Sequence, residues 1–175
     1  MNEAEKKRIL RERAKLLAAE PLKKEVSEDY LEVLEFLLAY ENYAIETGYV
    51  QEVYPLKDFT PLPSVPAFVL GIVNVRGRII PVINLKRFFD LPDKGLGELN
   101  KIIIIREAEM EFGILADALL GIRKVPRARI QPAPAADSSV RTEYVKGVTD
   151  ERLIILEAAK ILSDRKLIVQ EGGAQ

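Results

Sequence analysis

Short apolar runs separated by polar residues, glycine and proline predict a chain made mainly of β-strands. From residue 30 onward these runs are rich in valine, isoleucine, leucine and aromatic residues, a pattern typical of strands joined by turns and loops. The four consecutive isoleucines at 102–105 indicate a strand that is buried on both faces. The predicted strands outside the two hairpins are 33–40, 43–46, 49–54, 101–106, 111–116 and 119–125, with a turn at Glu41-Asn42 between the first two.

One hairpin pattern occurs twice. Residues 66–89 contain an apolar strand, a turn at Arg76-Gly77, a second apolar strand and a short helical ending. A shift of 76 residues without a gap aligns this segment with a second copy, and a shift of 69 aligns the strands that precede each copy. The aligned pairs include Phe68 with Tyr144, Gly71 with Gly147, Arg76 with Arg152, Val50 with Leu119 and Val53 with Ile122. About five short strands in each half fit a small closed barrel, so we predict an all-β protein with two five-stranded barrels.

The two ends of the chain differ from this β pattern. Residues 3–19 are strong helix formers, with apolar residues seven apart at Ile9 and Leu16, and Pro21 ends the pattern. We therefore predict a helical extension at 1–27, a main domain of two intertwined barrel subdomains at 28–170, and a disordered tail at 171–175. The extension is expected to pack on the domain or to be mobile, and a docking helix for a partner is the alternative.

The composition narrows the possible functions. With 26 basic and 27 acidic residues the formal charge is −1, which gives no reason to expect general affinity for nucleic acid or for an anionic membrane. The apolar runs are far shorter than the roughly 18 residues that a membrane helix needs, so direct membrane insertion is not expected. The absence of His and Cys excludes disulfides, thiol nucleophiles and Cys/His zinc sites, and it removes the usual general base. There is no phosphate-binding glycine loop. We expect a protein that is not an enzyme and has no metal or cofactor. The charged start of the chain, which lacks the apolar core of a signal peptide, makes the cytoplasm the expected location.

Four segments together resemble the family of CheW-like domains, the adaptor proteins of bacterial and archaeal chemotaxis. Residues 66–85 read PAFVLGIVNVRGRIIPVINL, and the other three are YAI at 43–45 with VQEV at 50–53, IQPAP at 130–134 and EYVKGV at 143–148. The resemblance covers about 35–162 and departs from the usual hairpin only at Val75, where the family has leucine. It implies two SH3-like five-stranded barrels that share a hydrophobic seam. It also implies a non-enzymatic adaptor that couples transmembrane chemoreceptors to a CheA-type histidine kinase.

The resemblance suggests a partner-binding site on the hairpin and on the strand that precedes it. Arg76 at the tip is expected to reach a partner carboxylate with its guanidinium, and the alternative is that it braces its own loop. Asn74 is expected to shape the turn, and Gly77 to supply a positive φ. Val50 and Glu52 match the family's receptor-binding positions, and simple alternation places them on one face of the strand, with Val53 on the other.

The expected partners follow from the same resemblance. The receptor's cytoplasmic hairpin tip is predicted to lie as a helix in an apolar groove at the seam. The kinase regulatory domain, itself CheW-like, is predicted to contact the barrel ends. Three alternatives remain open: a CheW-like scaffold in a motility or second-messenger pathway, a nucleic-acid-binding barrel, and a small enzyme that uses carboxylates.

Two groups of charged residues have simpler interpretations. Arg123, Lys124, Arg127 and Arg129 form a basic cluster without interleaved aromatic residues, which favours a solvated loop over a nucleic-acid site. Lys86 and Arg87 are predicted to form the polar face of a short helix that caps the first barrel, with Phe88 or Phe89 closing its mouth.

Overall fold

The computed structural model describes residues 3–7, 29–93, 95–97, 99–133, 142–164 and 167. Its strands are β1 (Tyr30–Leu38), β2 (Glu41–Glu46), β3 (Val50–Pro55), β4 (Val69–Val75), β5 (Arg78–Ile83), β6 (Lys101–Glu107), β7 (Met110–Ala116), β8 (Ala118–Pro126), β9 (Val145–Val148) and β10 (Ile154–Leu156). Helices Leu85–Phe88 and Ala158–Ser163 follow β5 and β10, and residues 3–7 are helical. The all-β prediction is confirmed. The domain limits at 27/28 and 170/171 lie outside the described residues and stay predictions.

The strands form two five-stranded sheets that exchange strands between the two halves of the repeat. Barrel 1 has the strand order β3-β6-β7-β5-β4, and barrel 2 has the order β8-β1-β2-β10-β9. Each barrel therefore combines two strands from one half with three from the other. The chain passes between barrels at the 3-10 turn Thr47–Tyr49, which separates β2 from β3.

Each sheet is closed by one isolated bridge near a repeated glycine. Thr60 pairs with Ile72 of β4 in barrel 1, and Gln131 pairs with Val148 of β9 in barrel 2. A Cβ atom built on Gly71 would lie 2.3 Å from the carbonyl oxygen of Thr60, and one built on Gly147 would lie 2.9 Å from that of Gln131. The repeated glycine thus allows the closing segment to approach the barrel wall.

Three apolar clusters hold the protein together. Barrel 1 and barrel 2 each enclose a small interior, and a larger cluster, here called the seam cluster, joins the two barrels. The seam cluster consists of Leu34, Phe36, Leu38, Tyr43, Ile45, Val69, Ile83, Leu85, Phe89, Leu91, Ile103, Ile105, Phe112, Ile114, Ala116, Tyr144, Leu156, Ala158, Ile161, Leu162 and Leu167. Successive side chains of β6 point to opposite faces, so Ile102 and Ile104 lie inside barrel 1. Ile103 and Ile105 lie in the seam cluster, and the strand is buried on both faces as predicted.

Lys86 contradicts the prediction that it forms the polar face of a short helix. Its side chain is only 2% exposed, and its Nζ lies 2.6 Å from Asp117 and 3.2 Å from Asp93. Asp117 also accepts the Ala39 backbone N–H at 2.8 Å. This network ties the β1–β2 turn, the helix after β5 and the β7–β8 connection to one another. Since its carboxylates lie 7 and 31 positions away in the chain, periodicity around Lys86 could not reveal them.

The same network sets the charge state of Asp93. Burial alone would raise the pKa of this carboxyl, but hydrogen bonds from the Gly95 N–H, Arg87 and Lys86 lower it to about 2. Asp93 therefore remains ionised well below neutral pH and can serve as a counter-ion of Lys86.

Two local predictions are corrected by these contacts. The first turn lies at residues 39–40, and Glu41 and Asn42 belong to β2, where they pair with Leu38 and Leu37. Ala39 has a positive φ of 56°, and its backbone N–H donates to the Asp117 carboxylate. This contact fixes the turn two residues before the predicted Glu41-Asn42. Phe89 packs in the seam cluster rather than in a barrel mouth, and Phe88 contacts Tyr144 edge-to-face at 5.3 Å.

Candidate partner-binding site

The β4–β5 hairpin presents Arg76 at its tip. Arg76 and Gly77 form a two-residue turn with φ values of 53° and 85°, between the paired residues Val75 and Arg78. Positive φ at both central positions is typical of the type I′ turn, which matches the twist of the strands. Asn74 accepts the Gly77 N–H at 2.9 Å. The predicted roles of Asn74 in shaping the turn and of Gly77 in supplying a positive φ are thus confirmed.

The Arg76 side chain contacts Glu52 and is largely open to solvent. Arg76 Nη1 donates to Glu52 Oε1 at 2.7 Å, and the guanidinium lies 6.0 Å from the centre of the Tyr54 ring. The Arg76 side chain is 75% exposed and the Glu52 side chain is 24% exposed. Arg76 therefore does brace its loop, by linking the hairpin tip to β3, and most of its side-chain surface stays available to a partner.

A second ion pair extends this contact along the edge of barrel 1. Arg78 Nη1 lies 2.7 Å from both carboxylate oxygens of Glu111 on β7, and Arg78 Nη2 lies 3.9 Å from Glu52 Oε2. The hydrogen bond to Glu111 raises the pKa of Arg78, although burial opposes this effect. The neighbouring Glu52 carboxylate raises the pKa of Tyr54. We call Glu52, Arg76, Arg78 and Glu111 the hairpin charge cluster.

A β-bulge changes the predicted faces of β3. Val50 pairs with Ile105 and Glu52 pairs with Ile104, so Gln51 is the extra residue. The bulge reverses the alternation that follows, and both Val50 and Val53 pack against the seam cluster. The prediction that Val50 and Glu52 share one face is therefore wrong. Glu52 instead faces Arg76 at the hairpin tip.

The corresponding strand of barrel 2 carries apolar residues that were not predicted to form part of the site. Leu119 packs on the seam cluster from β8, and the neighbouring Leu120 and Ile122 are 50% and 66% exposed. The sequence repeat aligns Ile122 with Val53, a predicted site residue, so the alignment could have indicated this strand as part of the site. Arg78 and Glu111 had no such signal, because they are 33 residues apart.

The basic cluster on β8 is partly neutralised. Arg123 lies 3.4 Å from Glu35 and 3.0 Å from Glu151. Lys124, Arg127 and Arg129 are exposed and lie on the end of β8 and the 3-10 turn that follows it. This arrangement agrees with a solvated segment.

The chemistry available at the hairpin charge cluster is charge pairing and hydrogen bonding. Within the described residues, no group of His, Cys, Asp or Glu has the geometry of a metal site. In the same part of the chain, no helix is both long and apolar enough to span a membrane. The site offers a guanidinium, carboxylates and adjacent apolar strand residues, which are the elements of protein recognition.

Comparison with known proteins agrees with this description. The family model for the CheW-like domain matches residues 32–166. The chain is 30% identical to the chemotaxis protein CheW of Treponema pallidum over 149 residues, which cover 81% of this chain and 88% of that protein. It is 32% identical to the chemotaxis protein CheW of Thermotoga maritima over 142 residues, which cover 81% of this chain and 92% of that protein.

A solved structure gives the same result for the fold. The crystal structure of the scaffolding protein TtCheW from Thermoanaerobacter tengcongensis matches with a TM-score of 0.67 and 32% identity, covering 73% of this chain and 84% of that one. The two intertwined barrels and their seam thus define a double-barrel signalling scaffold. The chain belongs to the CheW-like domain family, and its role is that of a chemotaxis adaptor.

Proposed function

We propose that this chain couples chemoreceptors to a CheA-type histidine kinase through the hairpin charge cluster and the strand residues beside it. The observation that carries the proposal is the 75% exposed Arg76, which is held in place by Glu52 on β3, the strand at the other end of the sheet order. A pre-positioned guanidinium can bind a partner carboxylate in a bidentate manner without first being ordered. The protein acts in the cytoplasm as a scaffold and carries out no reaction.

The receptor's hairpin tip would lie along the seam. Val50, Val53 and Leu119 contact the seam cluster while remaining partly accessible, and Ile122 is exposed on β8. An amphipathic helix recognises such a surface by placing its apolar face against it. A depression of about 360 Å³ beside the hairpin, lined in part by Tyr54, Asn74 and Arg76, would accept a side chain from the partner.

The kinase regulatory domain would contact the barrel ends. Interfaces of this kind are small and individually weak, and they become effective when several form within one assembly. Several small interfaces acting together give selective association with proteins. A chain with a formal charge of −1 has no general affinity for polyanions.

Arg76→Ala and Glu52→Ala should weaken assembly of the receptor–adaptor–kinase complex by roughly threefold to tenfold, the size expected from loss of one charged contact. Both variants should keep the circular dichroism spectrum of the wild type, because these side chains lie outside the three apolar clusters. The measurement is co-sedimentation of the kinase with receptor-containing vesicles over a range of adaptor concentrations.

Lys160→Ala is the matched control, because Lys160 is an exposed cation on helix Ala158–Ser163. It should bind like the wild type. Wild-type assembly by both the Arg76 and the Glu52 variants would remove these residues from the proposed interface.

A further inference from the structure

Two arginines flank the Glu52 carboxylate, and they bind it unequally. Arg76 Nη1 contacts Oε1 at 2.7 Å, whereas Arg78 Nη2 lies 3.9 Å from Oε2. Oε2 is buried and accepts no hydrogen bond from the residues that the structure describes. The carboxylate thus has one close cation and one that lies just beyond hydrogen-bond distance.

The two arginines also differ in exposure and in their other contacts. The Arg76 side chain is 75% exposed, and the Arg78 side chain is 44% exposed. Arg78 contacts both oxygens of Glu111 through Nη1 alone. A guanidinium has five N–H donors, so Nη2 carries donors that the contact to Glu111 does not use.

We propose that Arg78 is a positioning residue, which takes over Glu52 when an acidic side chain of the partner draws Arg76 away. This inference rests on the proposed function. A partner carboxylate that engages Nη1 of Arg76 competes with Glu52 for that donor. Loss of the Arg76 contact would leave the partly buried Glu52 carboxylate beside the Tyr54 hydroxyl but without a close cation, which opposes binding. A shift of Arg78 by about 1 Å brings Nη2 within hydrogen-bond distance and removes this penalty.

Glu111 opposes the movement of Arg78 toward Glu52, because its two oxygens hold Arg78 Nη1 at 2.7 Å. Arg78→Gln should therefore weaken co-sedimentation of the kinase with receptor-containing vesicles by about threefold, and Glu111→Gln should strengthen it by a similar factor. Two partners of an ordinary structural ion pair would change binding in the same direction. Weaker binding by the Glu111→Gln variant would overturn the proposal.

A second experiment needs no partner. Thermal unfolding is measured for Arg76→Gln, Arg78→Gln and the double variant, in the wild-type background and in Glu52→Gln. In the wild-type background the double variant should lose more in Tm than the sum of the single losses, because each arginine substitutes for the other at Glu52. In Glu52→Gln the losses should be additive.

Additive losses in the wild-type background would show that Arg78 does not replace Arg76 at Glu52, and would overturn the proposal. The thermal unfolding experiment also tests the exchange between the arginines independently of the proposed function. If the wild type fails to co-sediment with receptor and kinase, the proposed function is wrong, whereas the exchange between the arginines is still decided by the Tm values.

Discussion

Lys86→Met should lower the free energy of unfolding by about 3 kcal/mol at neutral pH. Removing one member of a buried ion pair leaves the remaining charges without compensation, and this typically costs about 3–5 kcal/mol. The lower end applies, because the side chains of Asp117 and Asp93 are 22% and 17% exposed. Methionine keeps an apolar side chain of similar length, so the loss reports mainly the charge. Chemical denaturation followed by circular dichroism measures it.

The pH dependence distinguishes this explanation from simple loss of packing. Because the pKa of Asp93 is lowered in the folded protein, its stabilising contribution is complete above the unfolded pKa of about 4 and is lost as the pH falls toward about 2. The difference between the wild type and Lys86→Met should therefore shrink over this range. Lys160→Met is the exposed control and should change stability by less than about 0.5 kcal/mol. A loss independent of pH would contradict the assigned role of the ion pairs.

Gly71→Ala should also destabilise the protein by about 3 kcal/mol, near the upper end of the usual cost of overpacking. The new Cβ would lie 2.3 Å from the backbone oxygen of Thr60, and Gly71 has a φ of 152°, which side chains rarely allow. Relief requires the Thr60–Ile72 bridge to open, so barrel 1 would lose its closure. The measurement is the free energy of unfolding by denaturant titration.

Two other glycines provide graded controls for this prediction. Gly147→Ala should cost less than Gly71→Ala, because the nearest backbone atom, the Gln131 oxygen, is 2.9 Å from the new Cβ and the closest obstacle at 2.3 Å is a side-chain atom of Ile130. Gly48→Ala should be close to neutral, since no atom lies within 4 Å of the new Cβ. Equal stability of the Gly71 and Gly48 variants would contradict the explanation of barrel closure.

The strands and their repeated order could be predicted because burial leaves a direct trace in the sequence. The isoleucines of β6 alternate between the interior of barrel 1 and the seam, and that is why all four are apolar. The repeat alone did not determine which half contributes each strand to each barrel. The two copies carry the same apolar pattern, so a strand from either half could fill the corresponding position in a barrel.

The candidate site could be predicted only in part. Arg76 and Gly77 were identifiable because a two-residue turn has strong local preferences. The bulge at Gln51 was missed because one extra residue breaks the alternation without a distinctive residue type. Arg78 is positioned by its contact with Glu111, which is 33 residues away in the chain, and Lys86 by its contact with Asp117, which is 31 residues away. Such contacts depend on the tertiary fold.

The central claim is that the chain links receptor and kinase, and co-sedimentation with and without it is the most direct test. Vesicles carrying a chemoreceptor cytoplasmic fragment are mixed with a purified CheA-type kinase, and the kinase in the pellet is measured. Pelleted kinase should rise with added adaptor until it saturates, and Arg76→Ala should shift this curve to higher adaptor concentration. An equal amount of pelleted kinase with and without the adaptor would show that this chain does not link receptor and kinase.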